Sequence, residues 1–259
     1  MSELIVQGER YSCRGILLDK DGTLLDFIQL WGPWARSILD MMEQHLALSG
    51  TGFTVAKDSV LGTIHDREGR VIGYDPSGPL AMGTVDESTG VLAWQLYAAG
   101  VPWNEAVRLV RDFNKTAMAD IRRQRAAKVF PGLRTLLEQS RRAGVKLAVV
   151  TSDSTEAAQE HLEWMGLTSY FDEVIGHDRV TYGKPDPEMA EKACALLGLP
   201  PSDVVVIGDS NGDMQMGKRA GVRLAIGFAP EPERSAHLLD ADMVIRAYEE
   251  LEVRETWTK

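Results

Sequence analysis

In the carboxyl-terminal half of the chain, short apolar runs rich in β-branched residues alternate with stretches whose apolar residues recur at helical spacing. Val145 to Thr151 predicts a strand, Thr155 to Met165 a helix stopped by Gly166, and Glu173 to Ile175 a short strand. Asp186-Pro187-Glu188 opens the next helix with a capping residue ahead of a Pro in the first turn, and Gly198 closes it. Val204 to Gly208 reads as a buried strand and Gly212 to Ala220 as a short helix ended by Gly221. Val222 to Ile226 and Met243 to Ile245 are two further strands. With Arg14 to Asp19 as the opening strand, this order predicts an α/β fold, a doubly wound and mostly parallel sheet with helices on both faces.

Between Asp26 and Lys128 the rhythm stops. Pro33 to Leu48, Asp86 to Ala99 and Asn104 to Ala127 have the spacing of amphipathic helices. Thr51 to Thr84 is rich in Gly and turn residues and takes no assignment beyond a hairpin turn at Asp66 to Val71. The pattern divides the chain into a core domain of residues 1–25 and 129–259 and a mainly helical insertion of residues 26–128.

Composition narrows the possible settings. The 259 residues are 44% hydrophobic and 25% charged, as in ordinary soluble domains. The net charge of -10 comes without any block of Lys and Arg, which argues against a nucleic-acid partner and leaves phosphate recognition to a local site. Arg122, Arg123 and Arg125 read as a solvated helix face. Cys13 and Cys194 are the only cysteines, so neither a disulfide framework nor a structural zinc site is expected. The first residues lack a basic start and no apolar run is long enough to span a bilayer, so the expected location is cytoplasmic, with no membrane partner. No oligomeric state follows from the pattern.

The chemistry concentrates in four short stretches. Asp19 and Asp21 follow the opening strand, and residues two apart in an extended chain point the same way. Two carboxylates so close repel, so a hard cation such as magnesium is expected between them, and Gly22 permits the sharp turn. Asp-Gly is also a common turn pair. Asp209 ends the Val204 to Gly208 run and Asp213 lies four positions on, where a second acidic pair could complete a metal site. Capping of the next helix by Asp209 and Ser210 would explain one of these acids better than two. Thr151 and Ser152 end another strand, where a hydroxyl and backbone N–H groups can hold phosphate oxygens. Asp153 and Glu156 fit a capping box, which gives Asp153 a structural role. Lys184, ahead of Pro185, offers a point charge to a phosphoryl group or to a carboxylate, although a Lys in that setting is commonly solvated. The five His residues lack metal-ligand spacing, and Trp31 and Trp34 read as packing groups at the start of the insertion.

Taken together, Asp19-Lys20-Asp21-Gly22-Thr23-Leu24, Thr151, Lys184 and Gly208-Asp209-Ser210-Asn211-Gly212-Asp213 resemble the four motifs of the haloacid dehalogenase superfamily, in order and in spacing. The likeness is to the phosphoglycolate phosphatase-like group, with a Rossmann-like core and a helical cap inserted after the first motif. It implies a phosphatase acting on a small phosphate ester. Asp19 would be the nucleophile and Asp21 the acid and base. The backbone N–H of Lys20, with Thr151, Ser152 and Lys184, would hold the phosphoryl group, and Asp19, Asp21, Asp209 and Asp213 would hold Mg²⁺. Lys20 departs from the apolar residue common between the two aspartates. A sugar-phosphate mutase would keep every motif. A dehalogenase would lack Asp21, and a receiver-like regulatory module would lack a cap of this size.

Overall fold

The computed structural model describes residues 2–231 and 235–255. Met1, three residues near position 233 and the last four residues of the 129–259 range lie outside them. The chain forms two compact units, Met1–Asp26 with Lys128–Lys259, and Phe27–Ala127.

Six strands form the central sheet of the first unit: β3 (Gly15–Leu18), β6 (Lys146–Val150), β7 (Glu173–Ile175), β8 (Val204–Gly208), β9 (Leu224–Phe228) and β10 (Met243–Ile245). Their order is β10-β9-β8-β3-β6-β7, and every pairing is parallel. This outcome agrees with the alternating pattern of the sequence. Parallel strands are covered on both faces, and β8 is buried along its whole length. Full burial of each such side chain contributes roughly 1.5–3 kcal/mol. Leu17, Ala148 and Val206 share one core cluster with Met189, Ala193 and Leu197 of α8 (Glu188–Leu197) and with Met214 and Met216 of α9 (Asn211–Ala220). Helices α6 (Leu133–Arg142) and α7 (Thr155–Met165) complete the covering layers. Gly166, Gly198 and Gly221 end α7, α8 and α9 in the left-handed conformation that favours glycine.

The chain leaves β3 at the middle of the sheet and returns first to β6 and β7 on one side, then to β8, β9 and β10 on the other. Such a reversal of direction opens a crevice at the carboxyl ends of the strands flanking it. Where the second unit leaves and rejoins the first, Leu25 bridges Val129, and the Asp26 N–H donates to the Lys128 carbonyl at 3.0 Å.

A second sheet is absent from the sequence reading. Strands β1 (Ser2–Val6), β2 (Glu9–Ser12) and β11 (Leu251–Glu255) pair antiparallel in the order β11-β1-β2. Its two edges come from opposite ends of the chain, a pairing that local periodicity cannot show. One strand also lies differently from expectation: β9 runs Leu224–Phe228 rather than Val222 to Ile226. Val222 instead follows the helix-ending Gly221, its N–H donating to the Gly217 carbonyl.

The second unit contains α1 (Phe27–Leu48), α2 (Lys57–Leu61), α3 (Pro79–Met82), α4 (Val85–Ala98), α5 (Trp103–Gln124) and a two-stranded ribbon of β4 (Thr63–His65) and β5 (Val71–Tyr74). Helix α1 starts six residues before the expected Pro33 and carries that proline inside it. The buried residues Phe27, Leu30, Trp34 and Ile38 form one helical stripe through it, and their packing outweighs the lost donor of Pro33. Trp34 Nε1 donates to Asn114 Oδ1 of α5 at 2.9 Å, so this tryptophan packs inside the unit. The expected turn is present: Asp66 Oδ1 accepts from the N–H groups of Glu68 and Arg70, and Gly69 takes a positive φ of 72°. Ser77 to Thr84, unassigned from sequence, carries α3 and a capping box in which Thr84 and Glu87 satisfy each other's backbone N–H groups. Among the described residues no helix is long and apolar enough to cross a membrane.

Candidate active site

The parallel register decides which loops meet. Leu18 pairs with Val149 on one side and with Ile207 on the other, so the residues beyond β3, β6 and β8 leave the sheet at one level. Asp19 extends the ladder by one step, its N–H donating to the Ile207 carbonyl at 2.9 Å. Asp19, Thr151 and Asp209 are thereby gathered at one edge, although 190 positions separate the first from the last.

Asp19 is 6% exposed, and its Oδ1 accepts from Lys184 Nζ at 2.5 Å. Lys184 also pairs with Asp213 Oδ1 at 2.6 Å and has its side chain 5% exposed. A Lys ahead of Pro is commonly solvated, and this one is instead a buried cation between two carboxylates. Its loop is held by Glu188, whose carboxylate accepts from the N–H groups of Thr181 and Tyr182, and by Arg219, which donates to the Pro185 carbonyl.

Asp213 Oδ2 accepts from Ser210 Oγ at 2.6 Å and from Ser210 N at 3.1 Å, while Ser210 Oγ accepts from Asp213 N. This capping box opens α9, so Asp213 both caps a helix and faces Lys184. Asp209 is not the cap. Its carbonyl accepts from His237 Nε2 at 2.8 Å, which requires the proton on that ring nitrogen because a carbonyl only accepts. Two glycines make room for these acids. A Cβ at Gly22, where φ is +83°, would lie 2.0 Å from Asp209 Oδ2, and one at Gly208 would lie 2.4 Å from Asp213 Cγ.

One oxygen each from Asp19, Asp209 and Asp213 falls within 4.8 Å of the others, a set of hard donors that could hold a metal ion. The electrostatics point the same way. Burial first, and then Asp213 and Asp21, push the Asp19 carboxyl up to about 7 even though Lys184 opposes the shift. Burial, Asp19 and Asp213 hold Asp209 well above the usual carboxylate range. A cation among these groups would offset both the desolvation and the repulsion. Tyr248 is buried beside them, stacked on Phe228 at 4.7 Å and donating its hydroxyl to the Thr23 carbonyl at 2.9 Å.

Thr151 is buried at the end of β6, and its Oγ1 accepts from Asp153 N at 3.1 Å. Ser152 follows it, half-buried. Asp153 differs from its expected capping role. Ser154 is the N-cap of α7 and accepts from Ala157 N, whereas Asp153 Oδ2 lies 3.2 Å from Lys20 Nζ. The reason is Lys20. Its side chain is fully buried, which demands nearby acceptors, and Asp153 is one of them. The others are Asp21 Oδ2 at 2.6 Å and His161 Nδ1 at 3.0 Å. An ammonium only donates, so Nδ1 must accept and the neutral ring carries its proton on Nε2. Burial, and then the Lys20 charge, lower the His161 pKa to about 4.

His161, His237 and Tyr248 take no role from the sequence alone. The available signal was Lys20 itself, because a lysine between two aspartates at a strand end needs a further carboxylate from elsewhere in the fold.

The depressed His161 pKa has a measurable consequence. Between its ordinary value of 6.5 and about 4, the unfolded chain binds a proton that the folded chain does not. Stability associated with His161 is therefore complete above 6.5 and is lost as pH falls towards 4. The stability advantage of the wild type over His161→Gln should shrink by about 2 kcal/mol between about pH 7 and about pH 5. Denaturant titrations at the two pH values check this, and an unchanged difference would mean that His161 is not held neutral.

A model of the haloacid dehalogenase-like hydrolase family matches residues 13–221. The pyrophosphatase PpaX of Halalkalibacterium halodurans is 37% identical over 124 residues, which make up 48% of this chain and 56% of that one. The chain thus spans about half the length of this curated relative, as it does for three others between 34% and 38% identical. The phosphoglycolate phosphatase of Caulobacter vibrioides is 29% identical over 222 residues, covering 73% of this chain and 91% of that one. Among solved structures, a β-phosphoglucomutase from Clostridium difficile shares the fold with a TM-score of 0.59 at 17% identity, covering 92% of each chain. Because the family match runs through Asp19, Asp21, Thr151, Lys184, Asp209 and Asp213 alike, the chain belongs to the haloacid dehalogenase-like hydrolases.

Proposed function

We propose that the chain is a magnesium-dependent phosphatase that hydrolyses a small phosphate monoester through an aspartyl-phosphate intermediate. The observation that carries this reading is the Asp19 carboxylate at the end of the central strand, held by Lys184 at 2.5 Å beside the Asp209 and Asp213 oxygens.

In the first step an Asp19 oxygen bonds to phosphorus as the bond to the leaving oxygen breaks, and Asp21 gives that oxygen its proton. In the second, Asp21 takes a proton from water as the water oxygen attacks the same phosphorus, releasing phosphate and restoring Asp19. Lys184, the Thr151 hydroxyl, Ser152 and the backbone N–H of Lys20 hold the phosphoryl oxygens through both steps. Mg²⁺, held by Asp19, Asp209 and the Asp21 carbonyl, would neutralise charge on the transferring group. Asp213, whose oxygens also meet Ser210 and Lys184, would complete the site directly or through water.

The unit Phe27–Ala127 lies in the chain between the Asp19 and Thr151 clusters, and we assign it the part of a cap that reads the leaving group. The buried free thiols of Cys13 and Cys194 suit a reducing compartment, and we place the protein in the cytoplasm.

A sugar-phosphate mutase would use the same residues and pass the phosphoryl group to a second hydroxyl. The test is a panel of phosphorylated metabolites incubated with the purified protein and magnesium. Free phosphate should appear in step with loss of at least one ester. An isomerised sugar phosphate without free phosphate would establish the mutase, and a stable phosphorylated protein without turnover would establish a receiver-like module.

A further inference from the structure

Each of the two aspartates beyond β3 is paired with its own buried lysine. Lys184 holds Asp19, and Lys20 holds Asp21 at 2.6 Å. The Lys20 ammonium has no part in the chemistry described above, which uses only the backbone N–H of that residue. Yet the site around its ammonium is fully built. The side chain is 0% exposed, and its Nζ lies 2.6 Å from Asp21 Oδ2, 3.2 Å from Asp153 Oδ2 and 3.0 Å from His161 Nδ1, groups supplied by the loop after β3, the loop after β6 and helix α7. Burying a charge costs several kcal/mol unless its hydrogen bonds are made, so a lysine enclosed in this way must be specified by its partners.

The partners are themselves fixed. Asp153 Oδ1 accepts from the N–H of Ser154, the residue that caps α7, at 2.8 Å. His161 is fully buried on α7, its ring 4.8 Å from that of Trp164. Helix α7 therefore anchors the inner side of the ammonium, and the ammonium reaches outward to Asp21, whose side chain is 17% exposed where those of Lys20 and His161 are closed off. An aspartate on a turn has two free torsions, and proton transfer to a leaving oxygen needs its carboxyl within hydrogen-bond reach and correctly aimed.

We propose that Lys20 is a positioning residue for the acid and base Asp21: its ammonium, clamped by Asp153 and His161, aims the Asp21 carboxyl at the leaving oxygen and then at the attacking water. This rests on the phosphatase reading given above. It separates the two lysines by task, with Lys184 serving the bond to phosphorus and Lys20 serving proton transfer.

The separation can be measured, because the need for proton donation depends on the leaving group. An alkyl alkoxide must be protonated as it departs, whereas p-nitrophenolate leaves readily without a proton. Lys20→Met removes the ammonium and keeps the apolar stem. The double variant Lys20→Met with Asp153→Asn also removes the carboxylate that would otherwise be stranded, and it keeps the experiment readable if the single variant does not fold. For whichever variants melt cooperatively, kcat/KM is compared with wild type on glycerol phosphate and on p-nitrophenyl phosphate. The expected loss with the alkyl ester exceeds that with the aryl ester by about tenfold or more, within the range that general acid catalysis supplies. A burst of p-nitrophenolate equal to the enzyme concentration should also appear, because hydrolysis of the intermediate needs Asp21 as base. Equal losses on both esters, or no loss on either, would overturn the positioning role. A wild-type protein that releases phosphate from neither these esters nor the metabolite panel would overturn the phosphatase reading itself.

Discussion

Asp19→Asn should abolish phosphate release, with a loss of about 10⁴-fold or more, while the protein remains folded. The amide has nearly the shape of the carboxylate but cannot attack phosphorus, so the aspartyl-phosphate does not form. The fold should survive because the substitution takes a charge out of a buried site that disfavours it, and Lys184 keeps its pairing with Asp213 at 2.6 Å. Asp21→Asn should behave differently, slowing both protonation of the leaving group and hydrolysis of the intermediate without preventing attack. Rapid acid quench with a labelled substrate distinguishes the two: label on the protein for Asp21→Asn and none for Asp19→Asn. Near-normal turnover by Asp19→Asn would exclude the covalent route.

Removal of divalent cations should be comparably severe. Excess chelator is expected to reduce turnover to background, and added magnesium to restore it. The cause is the convergence of Asp19, Asp209 and Asp213 oxygens within 4.8 Å, where burial and mutual repulsion hold Asp19 up to about 7 and Asp209 well above its ordinary range. Without a cation, part of the population carries a protonated nucleophile, and the transferring phosphoryl group meets uncompensated negative charge. The same ion binds the folded protein and not the unfolded chain, so magnesium at a hundredfold its dissociation constant should add about 2.7 kcal/mol of stability. Thermal melting with and without magnesium reads this gain separately from catalysis, and Asp209→Asn should diminish it. Full activity in excess chelator would remove the cation from the mechanism.

The two buried lysines show where sequence and structure part. Asp19, Asp21, Asp209 and Asp213 were legible as candidates because each stands a fixed short distance from a strand end, and strand ends are local features. Lys184 was legible only through its company, since nothing beside Pro185 indicates burial. Of the Lys20 network only Lys20 itself was legible, as a lysine between two aspartates; its distant partners were not. Asp153 and Glu156 have capping-box spacing, and the capping reading was reasonable until Ser154 proved to be the cap and Asp153 proved to face Lys20. His161, 141 positions from Lys20, looks like any other residue on the buried face of α7.

What the sequence by itself determined was therefore the set of elements with strong local signals: the apolar strands β6, β7, β8 and β10, the helices between them with their glycine stops, and the acidic pairs at the strand ends. Those signals arise from backbone preference and from side-chain spacing within a few residues, which chain order preserves. Only the tertiary structure decided the rest. It paired β1 with β11 across the whole chain, carried α1 through Pro33 because one buried stripe outweighs one missing donor, and enclosed Lys20 among Asp21, Asp153 and His161. The physical reason is that burial and ion pairing belong to a place in the fold. A lysine's environment is set by groups that the sheet brings beside it from distant parts of the chain.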